Sequence, residues 1–214
     1  MLRVCEIFKS IQGESSYAGW PCTFVRLTGC NLRCVYCDTK YAYDEGGDRT
    51  IAEIVTCLGR YDCSLVTLTG GEPLIQSETP DLIEKLLDGG YTVLLETNGS
   101  QDISCVDQRC VRVVDFKCPS SGESNSNDFK NIDRLRPHDE VKFVLGDRKD
   151  YDYARESVCR IRYVHGPGNT ILFSPIYEVL DPRTLASWMM DDGLEVRLNL
   201  QLHKYIWGPH LRGV

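Results

Sequence analysis

Three cysteines, Cys30, Cys34 and Cys37, follow one another in the pattern C-x3-C-x2-C directly after a segment with strand character. Thiolates bind the irons of iron–sulfur clusters, so three of them on one loop can hold three corners of a cube and leave the fourth iron open to a cofactor. A structural zinc ion needs four ligands, and no further Cys or His pair stands nearby. A redox use of Cys34 and Cys37 alone gives Cys30 no role. The spacing favours a cluster, with zinc or simple burial as alternatives.

A second candidate loop, Thr69-Gly70-Gly71-Glu72-Pro73, follows the next predicted strand. Glycines let a ligand approach the backbone closely, and ligands of α/β proteins gather at the carboxyl ends of strands. Alone, this segment would be an ordinary turn. A ligand-binding loop is the alternative, in which Glu72 would be the natural acceptor for an ammonium group.

Short apolar or β-favouring segments predict the strands that position these loops. They span residues 22–27, 65–68, 92–95, 111–116, 141–145 and 170–173. Between them, Thr50 and Glu53 form a capping-box pattern that begins a helix over residues 50–58, and residues 79–87 predict another helix with Pro80 in its first turn. The alternation predicts an α/β fold with a largely parallel sheet, either open or curved into a partial barrel.

Strict alternation of apolar and polar residues over 194–202 predicts one more strand. Its polar face, continued by His203, is either solvated or turned into a ligand cavity.

The composition favours one domain over residues 1–214 that binds small molecules. The chain is 42% hydrophobic and carries a net charge of −7, which argues against a surface for nucleic acid or anionic membrane. We find no signal sequence and no membrane span, so we expect a cytoplasmic protein whose eleven cysteines are mostly reduced and buried.

The cysteine loop, with aromatic Tyr36 before its last cysteine, resembles the cluster loop of radical S-adenosylmethionine enzymes. This resemblance implies a [4Fe-4S] cluster on Cys30, Cys34 and Cys37. It also implies S-adenosylmethionine bound to the open iron and cleaved to a 5′-deoxyadenosyl radical, chemistry that belongs to the cofactor while the protein positions it.

Further motifs resemble the 7-carboxy-7-deazaguanine synthase family from residue 8 to about residue 209. They are FKSIQGE (8–14), GWP (19–21), FVRL (24–27), CDT (37–39), ETNG (96–99), DFKCPSSG (115–122) and QLHK (201–204). The resemblance implies a truncated (β/α) partial TIM-type barrel. It also implies a magnesium-dependent carbon–nitrogen lyase that contracts 6-carboxy-5,6,7,8-tetrahydropterin to 7-carboxy-7-deazaguanine with loss of ammonia, toward queuosine and other 7-deazapurines. A flavodoxin-type reductant and a homodimer are implied partners.

The same resemblance implies roles for individual residues. The substrate set is Ile11, Gln12, Gly13, Arg26, Thr69 and Pro209, and the magnesium contact is Thr39. The S-adenosylmethionine set is Tyr36, Cys37, Asp38, Gly71, Glu72, Cys118, Pro119, Ser120, Ser174, Pro175, Ile176 and Tyr177. Glu14 and His203 are candidates for proton transfer, with a structural role as the alternative.

Two of these roles have a physical basis in the sequence. Arg26 lies opposite Val25 and Leu27 on its strand, so it can face a cavity and clamp a carboxylate through two parallel hydrogen bonds. The Thr39 hydroxyl can complete a magnesium octahedron together with substrate oxygens and waters, although the position also suits a helix cap.

The end of the chain departs from the family. Some members end at a proline that matches Pro209, whereas this chain continues to Val214. Either the Pro209 carbonyl makes that substrate contact, or the tail carries it elsewhere.

The nearest alternative resemblance is an activase of a glycyl-radical enzyme, which shares the cysteine spacing but acts on a partner protein. Gln12, Arg26 and Thr39 argue for the small-molecule substrate.

Overall fold

A computed structural model describes the whole chain, Met1 to Val214, as a sheet of nine strands with five α-helices. The strands are β1 (Leu2–Ile11), β2 (Pro21–Leu27), β3 (Gly47–Arg49), β4 (Leu65–Gly70), β5 (Thr92–Thr97), β6 (Val111–Asp115), β7 (Glu140–Leu145), β8 (Thr170–Pro175) and β9 (Arg197–Leu198). The helices are α1 (Ile51–Leu58), α2 (Thr79–Asp88), α3 (Arg148–His165), α4 (Pro182–Asp191) and α5 (Leu202–Trp207).

The strand order is β3-β1-β2-β4-β5-β6-β7-β8-β9, and the two outer strands do not pair with each other. From β2 to β9 every neighbouring pair is parallel, while β1 pairs antiparallel with β2 and β3. The sheet is therefore an open partial barrel, and the predicted fold class is confirmed.

Alternate residues of the parallel strands face two different environments. Val25 and Leu27 of β2 pack with α1 and α2 in one apolar core, and Phe143 and Phe173 pack with α3 and α4 in another. Helices α1 to α4 thus cover one face of the sheet. Polar side chains such as Arg26 fall on the opposite, concave face, which leaves that face available for a cavity.

The start of α1 shows the predicted capping box. The Thr50 hydroxyl accepts from the Glu53 N–H at 3.2 Å, and the Glu53 carboxylate accepts from the Thr50 N–H at 2.7 Å. Each side chain satisfies an amide that the first turn leaves free. α2 also forms as predicted, with Pro80 in its first turn.

The predicted strand over 194–202 is mostly wrong, because only Arg197–Leu198 pairs with β8. The Asn199 N–H still donates to the Phe173 carbonyl of β8 at 2.9 Å, while its side chain donates to Ser174 Oγ and accepts from the Ser15 N–H. Asn199 is 4% exposed and turns inward, whereas Glu195 and Arg197 on the same predicted face are exposed. The chain enters α5 at Leu202 instead of continuing as a strand.

Helix α3 lay outside the sequence predictions because it is rich in charged residues. Its start does carry a local signal, since the Asp147 side chain accepts from the Asp150 N–H at 2.9 Å and caps the helix. No helix in the chain is both long enough and apolar enough to cross a membrane.

Candidate active site

A cavity of about 730 Å³ lies at the carboxyl ends of the parallel strands. It is lined by most of the sequence-predicted site residues: Ile11, Gln12, Gly13, Glu14, Arg26, Cys30, Cys34, Tyr36, Cys37, Asp38, Thr39, Thr69, Gly71, Ile176, Tyr177, His203 and Pro209. Six predicted residues lie outside its lining: Glu72, Cys118, Pro119, Ser120, Ser174 and Pro175. The fold therefore brings the cysteine loop and the predicted substrate residues into one space.

The cysteine loop after β2 is anchored from the far side of the cavity. The Val35 N–H donates to the Ser121 carbonyl at 3.0 Å, and the Arg33 N–H donates to the Glu123 carboxylate at 2.7 Å. Cys30, Cys34 and Cys37 are all free thiols. Burial raises the pKa of Cys30 and of Cys34.

This donor set fits a cluster. No three Cys, His, Asp or Glu side chains of the chain are gathered tightly enough to hold a single metal ion. A tetrahedral zinc ion draws its sulfur ligands to about 2.3 Å from one centre, whereas a cube places each thiolate on a different iron. Three free thiols on one loop that line one cavity supply the donor set that a cluster with one open iron takes.

The glycine-rich turn packs directly on the start of the cysteine loop. The Glu72 N–H donates to the Gly29 carbonyl at 2.8 Å, and a Cβ on Gly71 would overlap with that same carbonyl. Gly70 has a φ of +141° and lies equally close to the Leu27 backbone. Glycine is required at both positions, since a side chain would push the two loops apart.

The Glu72 side chain links the glycine-rich turn to the end of β5. Its side chain is fully buried and already accepts from the Leu74 N–H (2.9 Å), the Thr97 hydroxyl (2.8 Å) and the Asn98 N–H (2.6 Å). Burial raises the pKa of Glu72 despite these donors. The carboxylate joins the glycine-rich turn to the end of β5, and its role as the acceptor for a ligand ammonium stays a prediction.

Arg26 reaches the cavity from the concave face of β2. Its Nε donates to Glu6 at 2.7 Å, and its guanidinium carbon lies 5.8 Å from the Phe8 ring centre and 5.9 Å from that of Tyr41. Burial alone would lower the pKa of Arg26, but Tyr41 and Glu6 outweigh it and raise the pKa. The two terminal nitrogens of Arg26 donate to no protein group. The guanidinium is therefore held in place through Nε, and this fork of two nitrogens is open to an anion.

The loop after β1 forms the next wall. Gln12 is 2% exposed; its amide donates to the Thr67 hydroxyl at 2.9 Å and accepts from the Glu14 N–H at 3.1 Å. Its backbone also bonds to Gly19 and Trp20. Gln12 thus holds the loop in shape, and its side-chain amide keeps one N–H without a protein acceptor. Beside it, Thr69 donates to Glu96 at 2.8 Å.

Glu14 forms a buried ion pair that sequence reasoning did not find. Lys142 Nζ lies 2.9 Å from one Glu14 oxygen, and the Gln201 amide donates to the other at 2.7 Å. Burial would raise the pKa of Glu14, but Lys142 and Gln201 more than offset it and lower the pKa. Glu14 is therefore a stable anion and a poor proton donor. Lys142 falls in a predicted strand, and its place on the polar side of β7 was the available signal.

Lys142 and Lys117 flank Asp115 at the end of β6. Lys117 Nζ lies 2.8 Å from Asp115 Oδ2, and Lys142 Nζ lies 3.7 Å from the same oxygen. Asp115 Oδ1 and the Tyr36 hydroxyl are buried without a hydrogen-bond partner. Buried polar atoms normally have partners, so two orphans in the lining of one cavity fit a polar ligand that supplies them.

His203 lies in the first turn of α5 and lines the cavity. The Leu202 N–H donates to the Gly13 carbonyl at 3.0 Å, which sets the His203 ring against Gly13. Burial lowers the pKa of His203 from its ordinary 6.5, so the ring is neutral at neutral pH. A neutral imidazole can accept or pass on a proton.

Thr39 and Asp38 lie beside the last cysteine. The Thr39 hydroxyl donates to Asp38 at 2.9 Å, and Lys204 Nζ lies 2.7 Å from the other Asp38 oxygen. Burial would raise the pKa of Asp38, but Lys204 outweighs it and lowers the pKa. Thr39 precedes a short 3-10 turn, Lys40–Tyr43, but makes no capping hydrogen bond. Its oxygen is therefore free to turn toward a cation.

The loosely matched segments contribute mainly backbone. Cys118, Ser174 and Pro175 are buried, and Ser174 Oγ accepts from Asn199. The Ser120 N–H donates to Asp150 at 2.9 Å. Only Ile176 and Tyr177 reach the cavity, where the Tyr177 ring faces Lys204 at 5.5 Å.

Comparison with known proteins defines the class. Residues 24–108 match the Radical SAM superfamily. The fold matches the crystal structure of QueE from Escherichia coli with a TM-score of 0.81 and 23% identity over 94% of each chain. The crystal structure of SuiB from Streptococcus suis matches with a TM-score of 0.55 and 15% identity, over 81% of this chain and 46% of the SuiB chain. The chain is a radical S-adenosylmethionine enzyme, a class whose cofactors are a [4Fe-4S] cluster and S-adenosylmethionine.

Sequence comparison narrows the class to one family. The chain is 44% identical to the 7-carboxy-7-deazaguanine synthase of Koribacter versatilis over the full length of both. It is 46% identical to that of Chlorobaculum tepidum (100% of this chain, 97% of the relative) and 38% identical to that of Methanospirillum hungatei (97% and 86%). The chain belongs to the 7-carboxy-7-deazaguanine synthase family, and the activase and zinc alternatives find no support.

Proposed function

We propose that this chain converts 6-carboxy-5,6,7,8-tetrahydropterin to 7-carboxy-7-deazaguanine with release of ammonia, as a carbon–nitrogen lyase in the formation of queuosine and other 7-deazapurines. One observation carries the proposal. A single cavity has three free thiols on one wall and the open fork of Arg26 on another, so a cofactor and a carboxylate-bearing substrate can meet inside it.

Cys30, Cys34 and Cys37 hold the cluster, and the bound cluster with S-adenosylmethionine supplies the radical that starts the reaction. Gly71 and the backbone around Ile176 and Tyr177 shape the space for S-adenosylmethionine. The unpartnered Tyr36 hydroxyl gains a hydrogen-bond partner when that space is filled.

Arg26 binds the substrate carboxylate through its two free nitrogens, because Glu6 fixes the guanidinium at Nε. Thr69, Ile11 and Gly13 line the space beside it, and Pro209 closes it. Holding the reacting carbon in one orientation lowers the entropic part of the barrier.

Loss of ammonia requires proton transfers. Neutral His203 is the better candidate for them, since Glu14 is held as an anion by Lys142. Thr39 contributes one oxygen to a magnesium ion that the substrate and waters complete.

An electron must reach the cluster from outside, and we propose a flavodoxin-type reductant. The cysteine loop reaches the surface, where Val35 is 72% exposed between Cys34 and Cys37. Electron transfer at that surface needs no opening of the cavity. We also propose that the protein forms a homodimer and is located in the cytoplasm.

The proposal is tested by reconstituting the chain anaerobically with iron and sulfide. Dithionite, S-adenosylmethionine, magnesium and 6-carboxy-5,6,7,8-tetrahydropterin are then added, and the product is identified by mass, with a parallel reaction without magnesium. Cys34→Ala should bind less iron and form no product, whereas Cys159→Ala, an exposed cysteine of α3, should match the wild type. Full iron content and turnover in Cys34→Ala would refute the ligand assignment.

A further inference from the structure

The segment after α5 folds back over the cavity. Residues 208–214 all line it, on the side opposite the sheet. Gly208 has a φ of +87° and Gly213 a φ of +70°, and neither has a neighbour within 4 Å of its Cβ position. The stretch between these two glycines, residues 209–212, is thus bounded on each side by a backbone conformation that glycine adopts without strain.

One side chain fixes this stretch, which we call the strap. The Arg212 guanidinium carbon lies 3.6 Å above the centre of the Tyr41 ring, and Arg212 Nη1 lies 3.1 Å from Glu45 Oε2. Tyr41 and Glu45 belong to the loop that follows the cysteines, so the contact joins the two sides of the cavity opening.

The contact lies at the substrate end of the cavity. The ring that carries Arg212 also faces Arg26 at 5.9 Å. The Tyr41 hydroxyl donates to Glu6 at 2.9 Å, and the same Glu6 oxygen accepts from Arg26. Arg212, Tyr41, Glu6 and Arg26 form one connected group, and displacement of Arg212 frees the ring that borders the carboxylate clamp.

We propose that Arg212 is a positioning residue that latches the strap over the bound pterin and so retains substrate, while leaving S-adenosylmethionine binding unchanged. This inference rests on the proposed substrate. Both partners of the ion pair are more than half exposed, at 54% and 58%. Exposed ion pairs and cation–π contacts are weak, so the latch opens readily enough for substrate to enter and product to leave.

The experiment compares the reconstituted full-length wild type with Arg212→Ala, Arg212→Lys and Glu45→Ala. The matched control is Arg109→Ala. It removes another exposed, ion-paired arginine, which lies in the loop before the amino end of β6. For each protein, KM and kcat for 6-carboxy-5,6,7,8-tetrahydropterin and the Kd of S-adenosylmethionine are measured. Limited trypsin cleavage after Arg212 is followed by intact mass in the wild type and Glu45→Ala, with and without the pterin.

Arg212→Ala and Glu45→Ala should each raise KM by about five- to tenfold, with kcat and the Kd of S-adenosylmethionine unchanged. The KM of Arg212→Lys should lie between the KM of these two variants and that of the wild type, because an ammonium keeps the ion pair but loses the planar stacking. Glu45→Ala should be cleaved faster than the wild type, and the pterin should slow cleavage of the wild type.

Equal KM values for Arg212→Ala and Arg109→Ala would overturn the latch. A loss of S-adenosylmethionine affinity in Arg212→Ala as large as its rise in KM would also overturn the latch, because the strap would then not be selective for substrate. If the wild type neither turns over the pterin nor is protected by it, the proposed substrate fails, even where Glu45→Ala still exposes the strap.

Discussion

Gly13 and the His203 ring are in such close contact that a Cβ on Gly13 would overlap with His203 Nδ1. Gly13 follows β1 and His203 lies in α5, so this contact joins the two ends of the chain across the cavity. The backbone hydrogen bond from Leu202 to Gly13 holds the same junction. The position of the neutral imidazole thus depends on the absence of a side chain at residue 13.

Gly13→Ala should displace the His203 ring and reduce kcat by about tenfold or more, because small displacements of reacting groups are costly. S-adenosylmethionine affinity should change little. Steady-state kinetics would check this, with Gly47→Ala, at an exposed glycine that has no neighbour within 4 Å of its Cβ position, as the stability control. Unchanged kcat in a folded Gly13→Ala protein would remove His203 from the reaction.

Arg26→Ala should raise KM for the pterin by about 10- to 100-fold, the effect of losing hydrogen bonds to a charged group. Cleavage of S-adenosylmethionine without substrate should persist, because the cysteine loop is untouched. Arg26→Lys should rescue only part of the loss, since a lysine cannot form two parallel bonds. An unchanged KM would show that the carboxylate binds elsewhere.

Glu72→Gln should destabilise the protein even without any cofactor. The buried carboxylate accepts three hydrogen bonds, and an amide nitrogen would face a donor, so we expect a loss of about 2–4 kcal/mol in the free energy of unfolding. Denaturant unfolding of the metal-free protein measures this, with exposed Glu84→Gln as the control. Wild-type stability together with weakened S-adenosylmethionine binding would support the direct-contact role.

The Glu14–Lys142 pair predicts a pH dependence of stability. Lys142 holds the pKa of Glu14 below its ordinary 4.5, so the ionised carboxylate stabilises the fold above that pH. This contribution is lost as pH falls from 4.5 through the folded-state pKa. Wild-type stability should therefore converge with that of Glu14→Gln on acidification, as measured by urea unfolding at a series of pH values. A constant difference between the two proteins would contradict the pairing.

Much of the fold could be predicted because its signals are local. Apolar runs marked the six parallel strands from β2 to β8, and Thr50 with Glu53 marked the start of α1. β1 and α3 were missed because charged residues interrupt their apolar patterns. The segment after residue 194 alternates like a strand, but only Arg197–Leu198 pairs with β8, and the chain enters α5 at Leu202.

The same difference between local and tertiary signals applies to the site. The cysteine and glycine-rich loops are contiguous motifs, and the sequence placed both at strand ends. The pairs Glu14–Lys142 and Asp38–Lys204 lie 128 and 166 residues apart, so only the closed fold shows them. The burial of Glu72 likewise depends on Thr97 and Asn98 of another strand end. Local patterns identified which loops form the site, and tertiary contacts decided which side chains face it.

The most direct test of the central claim follows one atom through the cavity. The reconstituted chain is given S-adenosylmethionine, reductant, magnesium and 6-carboxy-5,6,7,8-tetrahydropterin labelled with deuterium at C6. In the proposed reaction the 5′-deoxyadenosyl radical takes the hydrogen at C6, and S-adenosylmethionine is regenerated after turnover. We therefore predict 7-carboxy-7-deazaguanine as the product and deuterium in the recovered S-adenosylmethionine. Cleavage of S-adenosylmethionine with neither product nor transferred label would contradict the account.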